Sequence, residues 1–205
     1  MTQVLPAEVH DSRDEGEFDD IVLAVSGLAK VFGNGSSAVR AVDGVDLRVR
    51  RGELLLIMGP SGSGKTTLLT MIGGLLRPTS GVVRIDGHDV TSMKESELPE
   101  MRRHLVGFVF QTFNLLESLS ALENVEIALN LAGERGRTAR HKARRLLTDL
   151  GLGARLDFKP RALSGGEKQR VSIARALAND PQILLADGFS REFGDQEKVD
   201  RRVSF

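Results

Sequence analysis

Hydrophobic positions along the chain fall into short runs separated by glycine-rich and polar turns, and two periods alternate. Ile21–Val25 and Leu28–Phe32 are β-like runs, followed by the turn-rich stretch Gly33-Asn34-Gly35-Ser36-Ser37. Val42, Val45, Leu47 and Val49 alternate loosely with polar residues, which predicts a strand with one buried face over 39–49. After the turn Arg51-Gly52, Leu54-Leu55-Leu56-Ile57-Met58 is continuously apolar, the pattern of a parallel strand covered on both faces. Helix-like Lys65–Ile72, strand-like Val82–Asp86 and a short β candidate at Val106–Phe110 come next.

The pattern from about Thr112 to Pro160 is helical. Ala139, Ala143, Leu146, Leu147 and Leu150 share one helical face there, with Thr138 as N-cap and Gly151 as the stop. A further helix is predicted over 167–178, with Pro181 just beyond it. Ile183-Leu184-Leu185-Ala186 then forms a second buried strand, closed by Asp187. Strands alternating with helices predict an α/β fold with a mainly parallel sheet, and no internal repeat is visible.

Composition narrows the classes without naming one. The chain has 205 residues, enough for one domain with a full hydrophobic core. Its 28 basic and 28 acidic side chains cancel, which argues against a nucleic-acid partner. Without cysteine there are neither disulfides nor thiolate metal sites. No run approaches the ~20 apolar residues that span a bilayer, so a membrane role has to come through a partner. Residues 1–20 are acidic and lack an apolar centre, which predicts a flexible leader rather than a signal peptide.

Candidate chemistry begins at Gly59-Pro60-Ser61-Gly62-Ser63-Gly64-Lys65-Thr66, which matches a phosphate-binding loop. Glycines allow backbone N–H groups to surround phosphate oxygens, and the following helix turns its positive end to the same anion. In this pattern Lys65 reaches the β- and γ-phosphates of a nucleotide and the Thr66 hydroxyl binds Mg²⁺, with Thr67 directly following. The loop lies between an apolar strand and a helix, as a P-loop NTPase requires. Asp187 closes the other apolar strand, where such proteins keep the carboxylate that holds Mg²⁺.

Leu163-Ser164-Gly165-Gly166-Glu167-Lys168-Gln169-Arg170, about 100 residues after the loop and about 20 before Asp187, resembles the ABC signature sequence. With that octapeptide, residues 21–187 are similar to the ATP-binding cassette of ABC transporters. The resemblance implies an N-terminal antiparallel β part, a parallel core sheet and a helical subdomain over about 112–160 that touches a transmembrane permease subunit. It implies ATP and Mg²⁺ as ligands and a cytoplasmic location on the membrane through the permease. Two cassettes, identical or not, pair head to tail in this family. Ser164, Gly165 and Gly166 then meet the ATP held by the partner's phosphate loop. Gln111, in Phe110-Gln111-Thr112, falls where the family's glutamine contacts Mg²⁺ and water, and Phe32 where an aromatic ring stacks on adenine. The basic run Arg135, Arg137, Arg140, His141, Lys142, Arg144 and Arg145 reads as a solvated helix face. The stretches around the phosphate loop and Gln111 look closest to lipoprotein-releasing and macrolide-export-type ATPases.

Beyond Asp187 the likeness stops. The family's next residue is a glutamate that polarises the attacking water, and here it is Gly188, which has no side chain to act as a base. All four histidines, His10, His88, His104 and His141, lie upstream of the position where the family's switch histidine is expected. Residues 188–205 show no clear period and do not resemble the family's tail. This predicts a frameshifted or prematurely ended reading frame, with a parallel strand left as an open edge. Two readings follow: a transporter subunit that couples ATP hydrolysis to transport, or a cassette that binds MgATP without hydrolysing it.

Overall fold

The computed structural model of the protein describes residues 20–188 and 201–204. The acidic leader and residues 189–200 of the tail therefore fall outside the described residues, Asp20 apart. β1 (Ile21–Phe32) is a single strand where the pattern predicts two. Its register slips near Gly27 against both neighbours instead of breaking. Asp46 Oδ1 accepts the Gly27 N–H at 2.9 Å, so the bulge leaves that donor satisfied and the strand continues. β1 pairs antiparallel with β2 (Val39–Arg50) and β4 (Ser80–Ile85), and β4 pairs with the two-residue β5 (His88–Asp89). β5 carries no sequence signal of its own.

Two parallel ladders stand beside this antiparallel sheet. β6 (Val106–Val109) pairs with β7 (Ile183–Ala186). β3 (Leu55–Met58) pairs with β8 (Arg201–Ser204), so the tail does place one strand in the sheet. The sequence predicts β3 covered on both faces, yet Leu55, Leu56 and Ile57 are half-buried and Met58 is exposed. β3 and β7 share no ladder among the described residues, which leaves β3 less enclosed than a central strand.

One core joins the antiparallel sheet to the helix after β3, α1 (Lys65–Ile72), through Leu28, Val42, Val83 and Ile85 against Leu68, Met71 and Ile72. α2 (Leu98–Leu105) adds Leu98 and Met101 to the same core. A second core is built by α3 (Ala121–Leu131), α4 (Gly136–Asp149) and α5 (Gly165–Leu177). Ala139, Ala143 and Leu147 of α4 are fully buried in it and Leu146 and Leu150 pack at its edge, the face that the period predicts. The start of α4 differs from expectation: Arg135 is the N-cap and Thr138 lies inside the helix. Residues 112–120 are not helical either, so the predicted helical stretch begins only at Ala121. α5 begins at Gly165, two residues before its predicted start, because Ser164 already caps it. No helix among the described residues is long and apolar enough to cross a membrane.

Candidate functional site

The phosphate-loop motif occupies the connection between β3 and α1. Gly64 is the N-cap of α1 with φ 90°, and a Cβ there would lie 2.1 Å from the Ala41 carbonyl oxygen. Only glycine fits this close approach to β2. The Lys65 side chain curls back over its own loop. Its Nζ donates to the carbonyls of Gly59 at 2.8 Å and Pro60 at 2.7 Å, and to Ser63 Oγ at 3.2 Å. An ammonium group thus sits within the curl of the loop. Ser61 and Gly62 are exposed at the loop's crest, and Thr67 follows on the first turn of α1.

Asp187 reaches this loop from the far side of the sequence. Its backbone N–H donates to the Val109 carbonyl at 2.9 Å, extending the β6–β7 ladder by one step. The ladder aims its carboxylate at α1, where Thr66 Oγ1 donates to Asp187 Oδ2 at 2.8 Å. A hydroxyl and a carboxylate 121 residues apart therefore meet at one point. Gln111 follows β6 after one residue and lies beside the same corner. A Cβ on Gly188 would stand 2.6 Å from both Cβ and Cγ of Gln111. Gly188 has φ +79°, so both its conformation and its neighbour exclude a side chain in this geometry.

Phe32 ends β1 opposite Val39 and is 43% exposed. Val39 is two residues from Ala41, the residue that Gly64 abuts, so this ring lies along the same hairpin end as the phosphate loop. Lys30 Nζ stands 5.3 Å from the ring centroid.

Ser164, Gly165 and Gly166 are held apart from that cluster. Ser164 Oγ accepts the Glu167 N–H at 3.3 Å, and Glu167 Oε2 accepts the Ser164 N–H at 2.8 Å, a reciprocal capping box. Arg155 Nε donates to Glu167 Oε1 at 2.8 Å. No hydrogen bond among the described residues ties this turn to the phosphate loop. The Ser164 N–H, Arg155 and the Ser164 hydroxyl, in that order, hold the Glu167 carboxyl down at about 2, against its ordinary 4.5. A depressed carboxyl stabilises the fold above its unfolded pKa and loses that contribution as pH falls towards the folded value. Between about pH 4.5 and 2, the melting temperature of the wild type is expected to fall more steeply than that of Glu167→Gln. Parallel curves for the two proteins across that range would refute a role for this carboxylate in stability.

Sequence reasoning missed two polar side chains that shape the site's surroundings, Asn124 and Arg175. Both act on backbone groups distant from themselves or hidden in turns, and neither belongs to a motif.

Residues 42–189 match the family model described as ABC transporter. The chain belongs to the ABC transporter family. An uncharacterized ABC transporter ATP-binding protein of Mycobacterium tuberculosis is 48% identical over 165 residues, which cover 80% of this chain and 50% of that protein. A macrolide export ATP-binding/permease protein, MacB, of Marinobacter nauticus is 47% identical over 166 residues, 81% of this chain and 26% of that one. The cassette spans about half the length, or less, of most of these curated relatives. An uncharacterized ABC transporter ATP-binding protein of Thermotoga maritima is matched over 71% of its length at 48% identity. Among solved structures, a dimeric post-hydrolysis state of the ATP-binding cassette MJ0796 bound to ADP and Pi superposes with a TM-score of 0.76 at 38% identity. That match covers 89% of this chain and 86% of the other. The fold is thus the α/β P-loop fold of an ABC cassette, with its antiparallel sheet, parallel ladders and helical layer.

Proposed function

We propose that this cassette binds MgATP at the corner formed by its phosphate loop, Asp187 and Gln111, as the nucleotide-binding part of an ABC transporter. The observation that carries the reading is the Thr66–Asp187 hydrogen bond, which joins the two expected oxygen ligands of Mg²⁺. Both are hard oxygen donors. A site with one carboxylate and one hydroxyl fits Mg²⁺, which keeps waters and takes its other ligands from phosphates. When bound, Mg²⁺ neutralises phosphate charge. The chain's own groups do the rest: backbone N–H groups of Ser61–Thr66 surround phosphate oxygens, Lys65 exchanges its loop carbonyls for phosphate, and Phe32 stacks on the base.

No contact among the described residues demands glycine at 165 and 166. A Cβ at Gly165 meets nothing within 4 Å, and one at Gly166 meets only Arg170 at 3.7 Å. The absence of side chains at this helix opening is explained by approach from outside, as in a head-to-tail pair of cassettes with the partner's ATP against Ser164–Gly166. In this reading α3 and α4 face a permease, and the cassette lies on the cytoplasmic side of a membrane through that partner.

Gly188 favours a second reading, in which the cassette holds MgATP without hydrolysing it. A base needs a side chain, and Gln111 fills the space where one would start. Binding is tested by thermal melting with and without saturating MgATP. Ligand at about 100 times its dissociation constant adds about 2.7 kcal/mol, a rise of roughly 5–11 °C for a domain of this size. Lys65→Ala is expected to abolish that rise. A wild-type melt indifferent to MgATP would end the proposal.

A further inference from the structure

The loop after Gln111 holds an unusual backbone. Phe113 and Asn114 both have positive φ, 60° and 46°, although neither is glycine. Asparagine adopts this conformation readily, but for phenylalanine it is unfavourable and persists only when its surroundings enforce it. Local bonds contribute: the Phe113 N–H donates to the Phe110 carbonyl at 2.9 Å and the Asn114 N–H to the Thr112 carbonyl at 2.7 Å. They close the turn but leave its outward carbonyls unpaired.

Those carbonyls are taken by α5. Arg175 Nη1 donates to the Asn114 carbonyl at 2.5 Å and Nη2 to the Phe113 carbonyl at 2.8 Å. The Ser172 hydroxyl, on a fully buried residue one turn earlier, adds a bond to the Phe113 carbonyl at 3.3 Å. Arg175 has no carboxylate partner among the described residues, and its burial lowers its pKa. A half-buried guanidinium that donates to two successive carbonyls fixes this turn. The same helix opens at Ser164–Gly166, 11 residues or about 16 Å away.

We infer that Arg175 is a positioning residue that clamps the turn after Gln111 to α5 and thereby holds Gln111 beside Asp187. This rests on the proposed placement of Gln111 at the MgATP site. The planar fork of arginine grips both carbonyls at once, whereas lysine in its place offers a single point charge.

The test is a double-mutant cycle read as the gain in ATP affinity that Mg²⁺ provides over EDTA. Gln111→Ala is expected to cut that gain about 10-fold, and Arg175→Ala to cut it to a similar degree with affinity in EDTA unchanged. The double variant is expected to be no worse than the more impaired single one. Arg175→Lys keeps a cation in the pocket, and carries the test should the alanine variant fail to fold. Additive losses, or an Arg175 variant that melts lower yet keeps the full Mg²⁺ gain while Gln111→Ala loses it, would overturn the clamp alone. A full Mg²⁺ gain in Gln111→Ala, with Lys65→Ala abolishing binding, would overturn the placement of Gln111 and the clamp with it.

Discussion

Gly188→Glu is expected to lower the melting temperature by roughly 4–20 °C and to leave phosphate release from MgATP at background. The substitution places a carboxylate at the position where, under the proposed reading, ABC cassettes polarise water. It also forces an L side chain into φ +79°, a cost of about 1–2 kcal/mol. Its Cβ would stand 2.6 Å from Gln111 Cβ and Cγ and 3.2 Å from Gln111 Cα. The last of these is backbone-linked and moves only with the loop that Arg175 grips. Displacing a packed neighbour adds about 1–3 kcal/mol, so the sum is about 2–5 kcal/mol, at about 2–4 °C each for a domain of this size. Melting and a phosphate-release assay on one preparation decide it. Enhanced release at an unchanged melting temperature would show that the Gln111 loop yields and that glycine alone withheld the chemistry.

Asn124→Leu is expected to cost about 2–4 kcal/mol although it exchanges side chains of similar size and leaves the phosphate loop untouched. Asn124 is fully buried at the start of α3. Its Oδ1 accepts the Leu116 N–H at 2.8 Å, and its Nδ2 reaches the carbonyls of Leu116, Leu119 and Ser120 at 2.9–3.2 Å. One side chain thus satisfies the turn that links the Gln111 loop to α3. Leucine leaves the Leu116 N–H and the Leu119 carbonyl without this partner, whereas the carbonyls of Leu116 and Ser120 keep the N–H groups of Leu119 and Asn124; each orphaned, part-buried group costs about 1–2 kcal/mol. Thermal melting measures the loss, and the rise caused by MgATP should persist, because the nucleotide loop packs on the other core. A change below about 1 kcal/mol would mean that water replaces the amide.

Asn124 and Arg175 mark where the sequence stops being legible. The phosphate loop, Asp187 and the buried face of α4 are readable because each rests on a local spacing, glycines in a turn or apolar residues every three to four positions. The irregular stretch 112–120 is not readable, since its shape is imposed by Asn124 from within the next helix and by Arg175 from about 60 residues away. α2 escapes for a different reason: in Leu98-Pro99-Glu100-Met101-Arg102-Arg103-His104-Leu105 only Leu98 and Met101 are buried, too few for a period. The proximity of Gln111 to Gly188 is equally invisible, because it depends on β6 and β7 lying side by side.

The β3–β8 ladder fixes an order of assembly. Leu55 pairs with Arg201, a separation of 146 residues (201 − 55), and β8 is the one strand partner of β3 among the described residues. A contact that distant carries a large loop-closure cost and forms late. During synthesis, the strand that launches the phosphate loop waits for residues 201–204 to emerge before that ladder can form. The antiparallel sheet, complete by Asp89, is in place long before. The two parts of the fold are therefore separated in time as well as in space, the local antiparallel sheet first and the β3–β8 ladder after it.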